Sequence, residues 1–438
     1  MSDVLVPDGW TQVKLGDACV LNPSVPIKRG SSYTYVDMAS IDVSLRFTSD
    51  ECNREFGGGG SRFQSGDTLM ARITPCLENG KIAQVSSDSP YGFGSTEFIV
   101  FRAVPDCTDA NFVYYLVKGP ELRSHAVSNM SGTSGRQRVP TEAMRILDIL
   151  LPPIHEQKAI AHILGTLDDK IDQLRKTNSV LEEMASALFK SWFVDFDPVK
   201  AKQENRPTGL PKDLDDLFPD SFEDSALGPI PTGWRVSKTG DELTVVGGTT
   251  PSTSNPSYWD GGSHYWATPK DLSEQKLPII SSTSRLVTDQ GLATISSRLL
   301  DPGSVLLSSR APVGYLAVAE VPVAINQGFI AIKASSTTPT GFIYEWCKGN
   351  IEEFLKRSSG TTFLELSKSS FRQIPLVMPE ADVVREYECH HTGLFKRVSS
   401  NIHQIRTLTK LRDTLLPKLI SGDLRVPEAE QMVAELGL

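Results

Sequence analysis

The sequence predicts an α+β fold in which two pseudo-symmetric mixed α/β domains are separated by a long antiparallel two-helix coiled coil. Three observations lead to this prediction. One sequence unit occurs twice, short strand-like runs fill most of each copy, and each copy ends in a long segment with heptad spacing. The two copies start about 225 residues apart, which is typical of a duplicated domain rather than of a solenoid repeat.

Length and composition are those of a globular protein with two or three domains. The chain has 438 residues, of which 39% are hydrophobic and 22% charged. It contains no apolar run of the roughly 18 residues that a membrane span needs, and its first residues lack the basic and apolar regions of a signal peptide. The six cysteines lie far apart without a CxxC pair, which indicates free thiols in a reducing compartment. We therefore expect a cytoplasmic protein.

The formal net charge of −9 argues against a protein that binds DNA through charge alone. Much of the excess is local, because residues 193–231 carry nine acids against four bases and the tail from Pro427 adds three acids and no base. The remainder of the chain is close to neutral, so local basic patches are possible while non-specific attraction to phosphates stays modest. If DNA is the ligand, we expect partner subunits to contribute much of the affinity.

The two copies match in several short segments that follow the same order. β-Branched runs bounded by Gly, Pro, Asn and Ser predict short strands in both, whereas FVYYLVKG and GFIYEWCKGN each predict one short helix. The matches are PDGW at Pro7 with PTGW at Pro231, GDTLMAR at Gly66 with GSVLLSSR at Gly303, GSTEFIVFRA at Gly94 with INQGFIAIKA at Ile325, SGT at Ser131 with SGT at Ser359, and ILLPPI at Ile149 with PLVMPE at Pro375.

Each copy ends in a helical segment whose apolar residues recur every seven positions in two rows, the pattern of a coiled-coil seam. A seam only two rows wide favours pairing of the two helices over docking of each helix on its own domain. Within one chain the simplest pairing is antiparallel, and an asparagine in each seam is expected to fix the register. The seam residues are Leu164, Leu167, Ile171, Leu174, Asn178, Leu181, Ala185 and Leu188 in the first helix, and Leu394, Val398, Asn401, Ile405, Leu408 and Leu415 in the second.

These features divide the chain into six segments. The Pro-rich acidic stretch after the first helix is typical of an extended connector, although the aromatics of its SWFVDFDP opening suit docking. The predicted segments are a first domain at 1–152, a central helix at 153–192, the linker at 193–230, a second domain at 231–379, a distal helix at 380–421 and an acidic tail at 422–438.

A search for catalytic chemistry finds no complete constellation. NPSY at Asn255 approaches the Asn-Pro-Pro-aromatic turn of adenine methyltransferases, but it lacks the second proline and a glycine-rich cofactor loop, so a plain turn is favoured. No Walker loop exists, so no motor is predicted. The GGGG run at Gly57 follows no apolar strand and carries no lysine, so a flexible loop is predicted. His155 and His162, and the adjacent His390 and His391, do not have the ligand spacing of a metal site. We expect surface or seam histidines, no catalytic residue and no metal.

Several stretches resemble the specificity subunits of type I restriction–modification systems, and together they cover essentially the whole chain. HEQKAIAHILGTLDDKIDQL at His155 resembles the helix that follows the first recognition domain of that family, and FKSWFVDFDPV resembles its exit. GGTTPSTSNPSYWDGG at Gly247, SSRAPVGY at Ser308 and INQGFIAI at Ile325 resemble recognition-domain motifs, while GDTLMARITPCLENGKIA at Gly66 resembles another subtype. The second helix departs from the HEQ pattern, because it begins PEADVVREYECHH.

The resemblance implies a non-catalytic DNA-binding subunit with two target recognition domains. Each domain would read one half of a bipartite asymmetric target, and the two helices would fix the unread gap. The implied partners are double-stranded DNA, two methyltransferase subunits and motor-nuclease subunits. S-Adenosylmethionine and ATP with Mg would bind to those partner subunits, leaving this chain without a cofactor. A pseudo-two-fold pair of domains also suits the two-fold symmetry of the duplex backbone.

Residues that read base edges are expected among Arg, Lys, Asn and Gln side chains on well-supported loops. Neighbouring glycines let the backbone approach phosphates closely. The candidate DNA-binding residues are Arg72, Asn79, Lys81, Arg136, Gln137 and Arg138 in the first domain, and Lys270, Arg310, Gln327, Thr361 and Thr362 in the second.

Two other classes of protein stay open from the residues alone. A methyltransferase or nuclease fused to its own specificity domains would need a cofactor fingerprint, and the purified chain would have to bind S-adenosylmethionine by itself. A duplicated scaffold that joins protein subunits without reading DNA would leave the assembled complex unable to distinguish any two duplexes.

Overall fold

The chain forms two compact α+β units in the computed structural model. The first unit contains the residues up to Lys176 together with those from Ile402 onward, and the second contains Thr177–Asn401. The structure describes residues 6–49, 52–133, 135–275, 277–310, 312–360 and 364–435. The fold class predicted from the sequence is confirmed.

The first unit contains two four-stranded sheets and one two-stranded ladder. In chain order its elements are β1 (Thr11–Lys14), α1 (Leu15–Ala18), β2 (Cys19–Leu21), β3 (Ser32–Val36), β4 (Cys52–Glu55), β5 (Ser61–Gln64), β6 (Thr68–Ala71), β7 (Ile82–Gln84), β8 (Tyr91–Gly94), β9 (Phe98–Ala103), α2 (Ala110–Lys118), α3 (Pro120–Ser128), α4 (Thr141–Arg145), β10 (Asp148–Leu151) and the long helix α5 (Ile154–Phe193), which continues into the second unit. The sheet orders are β2-β9-β6-β7 and β4-β3-β8-β5, and β1 pairs with β10.

The second unit repeats this plan with different lengths. Its elements are α6 (Asp197–Gln203), α7 (Lys212–Asp215), β11 (Phe222–Glu223), β12 (Ile230–Pro231), β13 (Arg235–Lys238), α8 (Thr239–Glu242), β14 (Thr244–Val246), β15 (His264–Ala267), α9 (Pro269–Gln275), β16 (Ile279–Ile280), β17 (Arg285–Val287), α10 (Asp289–Ala293), β18 (Val305–Ser309), β19 (Val313–Ala319), β20 (Val323–Ile325), β21 (Phe329–Lys333), α11 (Thr340–Gly349), α12 (Ile351–Arg357), α13 (Lys368–Arg372), β22 (Pro375–Met378) and the first half of α14 (Ala381–Ser421). The remainder of α14 and the terminal helix α15 (Val426–Ala434) belong to the first unit.

Both units share one strand arrangement. The larger sheet of the second unit has the order β14-β21-β18-β19-β16, and its smaller sheet has the order β17-β15-β20. In the sheets that contain β3 and β15, this strand pairs in parallel on one side, β3 with β8 and β15 with β20, and antiparallel on the other, β3 with β4 and β15 with β17. The duplication predicted from the sequence is therefore also a duplication of topology.

The two predicted short helices are α2 and α11, and both are almost wholly buried. Asp109 caps α2, because its carboxylate accepts hydrogen bonds from the backbone N–H groups of Asn111 and Phe112 at 2.9 and 3.0 Å. Every residue from Phe112 to Val117 is buried. Burial of six or seven successive residues explains why both segments are so apolar.

The Pro-rich segment after α5 is folded, which differs from the extended connector that its composition favours. Pro198 lies in the first turn of α6, where a missing N–H costs nothing, and Val199 and Phe218 are buried in the core of the second unit. The ammonium of Lys202 donates hydrogen bonds to the carbonyl oxygens of Asp215 and Phe218 at 2.6 and 2.7 Å. Apolar anchors and this lysine hold the segment in place despite its prolines and acids.

The long helices contact each other in antiparallel orientation within each unit. In the first unit Asp168 of α5 pairs with Arg412 of α14, whereas Glu156, twelve residues earlier, pairs with Arg425, which follows α14. In the second unit the side-chain amide of Asn401 donates to that of Asn178 at 2.8 Å. At 1.5 Å per residue, helices of 40 and 41 residues are each roughly 60 Å long.

The seam residues are buried or half-buried, but the helices also dock on their own domains. In the first unit the core contains Leu164, Leu167, Ile171, Leu174, Leu408 and Leu415, and Ile405 packs against it. In the second unit the buried seam residues are Ala185 and Val398, and the half-buried ones are Leu181, Leu188 and Leu394. The amide pair consists of Asn178 and Asn401. Ile160 and Ile163, outside the predicted rows, are buried in the same core as Tyr115 of α2. The two-row prediction was wrong in this respect, because each helix pairs with its partner and packs on its domain at once.

Candidate nucleic-acid interface

Two polar loops that are distant in sequence meet at the end of β6 in the first unit. The loop after β6 carries Arg72 and Asn79, and a second loop carries Arg136 to Arg138. The backbone N–H of Thr74 donates to the carbonyl of Gln137 at 3.0 Å, and the N–H of Gln137 donates to the Thr74 hydroxyl at 3.1 Å. The candidate residues of the first domain therefore lie on one joined loop pair.

An ion pair fastens these loops to the sheet. The Arg138 guanidinium donates to both carboxylate oxygens of Glu97, with Nε at 2.9 and 3.0 Å and Nη2 at 2.7 Å. Hydrogen bonds from Arg138 hold the pKa of Glu97 below its ordinary value, and the charge of Arg72 adds to the effect. Arg72 Nε is buried and has no hydrogen-bond partner among the described residues.

The remaining candidates of the first domain differ in availability. Lys81 donates its ammonium protons to the carbonyl of Met38, so it supports the loop. Asn79 and Arg136 are exposed, and Gln137 is half-buried. Asn79 and Arg136 are therefore free to approach a base edge, whereas Arg138 and Lys81 are already engaged.

In the second unit the candidates again gather where the strands end. The N–H of Ser309 donates to the carbonyl of Gly328 at 2.8 Å, which places Arg310 and Gln327 on neighbouring strand ends. Arg310 approaches Glu365 at 3.9 Å, Gln327 accepts a hydrogen bond from the Thr250 hydroxyl at 2.5 Å, and Lys270 lies 3.4 Å from Glu274 on the same helix. Thr361 and Thr362 lie outside the described residues.

One loop position carries opposite charges in the two units, and its ion-pair partner comes from a different position in each. Arg138 forms isolated antiparallel bridges with Ser131 and Ile73, and Glu365 forms the same bridges with Ser359 and Arg310. Arg138 and Glu365 thus occupy equivalent loop positions with opposite charges. Glu97 and Glu365 are not among the candidates predicted from the sequence, which are all side chains that can donate to bases, although Glu97 lies inside a repeated motif.

Neither a metal centre nor a membrane span emerges from the described part of the chain. No three His, Cys, Asp or Glu side chains in the described ranges are grouped so that they could hold a metal ion. None of the described helices has the length and apolar character needed to cross a bilayer. NPSY, which approached a methyltransferase motif, forms a single 3-10 turn at Pro256–Tyr258 that is capped by Asn255.

Duplicated α+β domains with polar loop pairs at equivalent strand ends, together with two long helices, define the class of modular nucleic-acid-recognition proteins. The family model "Type I restriction modification DNA specificity domain" matches residues 58–183 and 231–383, more than half of the chain. The chain belongs to this family, and the resemblance inferred from its motifs is confirmed.

Named relatives match over most or all of their length. The chain is 26% identical to the "Type I restriction enzyme HindI specificity subunit" of Haemophilus influenzae, over 95% of this chain and 99% of that protein. It is 27% identical to the MjaIX specificity subunit of Methanocaldococcus jannaschii, over 73% and 70% of the two chains. A crystal structure of a type I restriction–modification S subunit from M. genitalium covers 96% of this chain and 98% of its own, with 16% identity and a TM-score of 0.56, which shows a shared fold.

Proposed function

We propose that the chain is the non-catalytic subunit that gives a type I restriction–modification complex its DNA sequence specificity. Each domain reads one half of a bipartite asymmetric target, and the paired helices set the gap between the halves. The observation that carries this proposal is the duplicated loop pair, which has the same backbone architecture in both units but different side chains. Two different half-targets require loops that are held in the same way but carry different side chains toward the bases.

The structure suggests a division of roles within each loop pair. Exposed amide and cationic side chains, such as Asn79, Arg136 and Gln327, have the donors and acceptors that match base edges in the major groove. Arg138 and Arg310 position the loops through their carboxylate partners. Stiff support of this kind lowers the entropic cost of ordering a loop on DNA.

Catalysis and energy coupling belong to other subunits in this proposal. Two methyltransferase subunits, with S-adenosylmethionine, and motor-nuclease subunits, with ATP and Mg, assemble on this chain. The names of the relatives, which are specificity subunits of type I restriction enzymes, support the assignment. We place the complex in the cytoplasm, where its cysteines stay free thiols.

The test is to express the chain with its methyltransferase subunits and to map modified adenines across a genome. We expect one asymmetric target made of two short sequences separated by a gap of constant length. A continuous or palindromic target, or adenine modification without sequence preference, would contradict the proposal. Omitting the chain is the control, and it should abolish sequence-specific modification.

A further inference from the structure

Each recognition domain carries an arginine that lies against an aromatic ring on an edge strand, β4 of the sheet that contains β3 in the first unit and β17 of the sheet that contains β15 in the second. In the first unit the guanidinium carbon of Arg54, on β4, lies 4.0 Å from the ring centroid of Tyr35. In the second unit that of Arg285, on β17, lies 3.6 Å from the ring of Trp259 and 5.7 Å from that of Trp266. None of these five residues was among the sequence-derived candidates.

The two arrangements occupy corresponding places in the duplicated topology. Tyr35 lies on β3 opposite Phe93 of β8, and Trp266 lies on the corresponding strand β15 opposite Ala324 of β20. Arg285 lies directly opposite Trp266 on the outer strand. Arg54 lies two residues from Cys52, which is opposite Tyr35, and alternate residues of a strand share a face. The same outer-strand face therefore presents a stacked arginine in both units.

These arginines differ electrostatically from those of the recognition loops. Arg54 and Arg285 are exposed, and neither forms a salt bridge with any of the residues that the structure describes, although the charge of Arg54 contributes to lowering the pKa of Asp37. Arg138 and Arg310 are instead held by Glu97 and Glu365. Stacking on a ring holds a guanidinium flat without neutralising its charge, so its N–H donors stay directed outward.

A contact that both domains share points to a feature that all targets share. Base-reading positions should differ between domains that read different half-targets, as the charge-inverted Arg138 and Glu365 positions do. A stacked arginine occurs on the same face of the outer strand in both units, and a planar guanidinium matches a phosphate in shape and charge. We propose that Arg54 and Arg285 each bind a DNA backbone phosphate, one in each domain, and thereby add sequence-independent affinity. This inference rests on the proposed function.

The test measures binding of the complex of this chain with its methyltransferase subunits to a target duplex and to a scrambled duplex over a range of salt concentrations. Arg54→Gln and Arg285→Gln should each weaken binding about tenfold, by the same factor for both duplexes. Each should also lower the slope of log affinity against log salt by about 1. The matched controls Arg145→Gln and Arg235→Gln remove the same charge from exposed arginines that pair with Glu142 and Glu242, and they should change the affinity less than twofold.

The outcomes separate this inference from the proposed function. Loss of affinity for the target duplex alone would make these arginines base contacts and overturn the inference, and unchanged affinity in both variants would leave the stacks with a structural role only. A complex that distinguishes no two duplexes would instead refute the proposed function as well. Far-UV circular dichroism and the midpoint of urea unfolding monitor whether Arg54→Gln and Arg285→Gln keep the native fold.

Discussion

Arg412→Leu should destabilise the first unit strongly, because it leaves the Asp168 carboxylate buried without its counter-charge. Asp168 is 8% exposed and Arg412 is 13% exposed, and their side chains meet at 2.7 Å. The Tyr115 hydroxyl donates to the other carboxylate oxygen at 2.7 Å, so one hydrogen bond survives the substitution. Breaking a buried pair by removing one partner costs about 3–5 kcal/mol in the free energy of unfolding.

The assay is a double-mutant cycle in which circular dichroism monitors urea unfolding of each variant. Asp168→Leu alone should also destabilise, whereas Asp168→Leu/Arg412→Leu should unfold within about 1–2 kcal/mol of the parent, because an apolar pair replaces the ionic one. The exposed pair of Arg385 and Asp382 provides the control, and Arg385→Leu should change stability by less than about 1 kcal/mol. A coupling energy near zero between Asp168 and Arg412 would refute the reasoning.

Three further results are expected. Asn178→Leu should cost about 1–3 kcal/mol in urea unfolding, because it strands the buried Asn401 amide, and Asn178→Leu/Asn401→Leu should recover most of that loss. Glu97→Gln should relax discrimination in one half-target about tenfold in competition binding, because Arg138 loses its charged partner, and Glu97→Arg/Arg138→Glu should recover part of it. Burial lowers the pKa of His391 from 6.5 to about 4. As the pH falls from 6.5 to 4, this histidine is therefore protonated in the unfolded chain before it is protonated in the folded one, and the free energy of unfolding decreases. His391→Leu should remove up to about 3 kcal/mol of that loss between pH 6.5 and pH 4, as measured by unfolding at several pH values.

Local patterns predicted the parts of the fold whose physics is local. The runs around β6 and β18 are apolar because every residue of both strands is buried, and the heptad rows of α5 and α14 recur because those side chains line one helix face. The repeat itself located the second domain from the first. Each of these signals can be found in a short stretch of sequence or by comparing two segments directly.

Features that depend on distant partners were missed. The proline and acid content of the segment after α5 hid a helix whose buried anchors, such as Val199, have no local periodicity. The Arg138–Glu97 pair joins residues 41 positions apart, and the position of Arg285 opposite Trp266 depends on a strand register that the sequence does not reveal. The docking of α5 on α2 was missed because it uses residues outside the two predicted rows, such as Ile160 and Ile163. Their partners on α2 are distant in sequence.

Exchanging one domain tests most directly whether the two domains read separate half-targets. Residues 1–152 would be replaced by the corresponding domain of a family member with a different target, and modified adenines would be mapped in cells that carry the methyltransferase subunits. The account predicts that one half-target changes while the other half and the gap length stay as they were. A change in both halves, or no change in either, would contradict it.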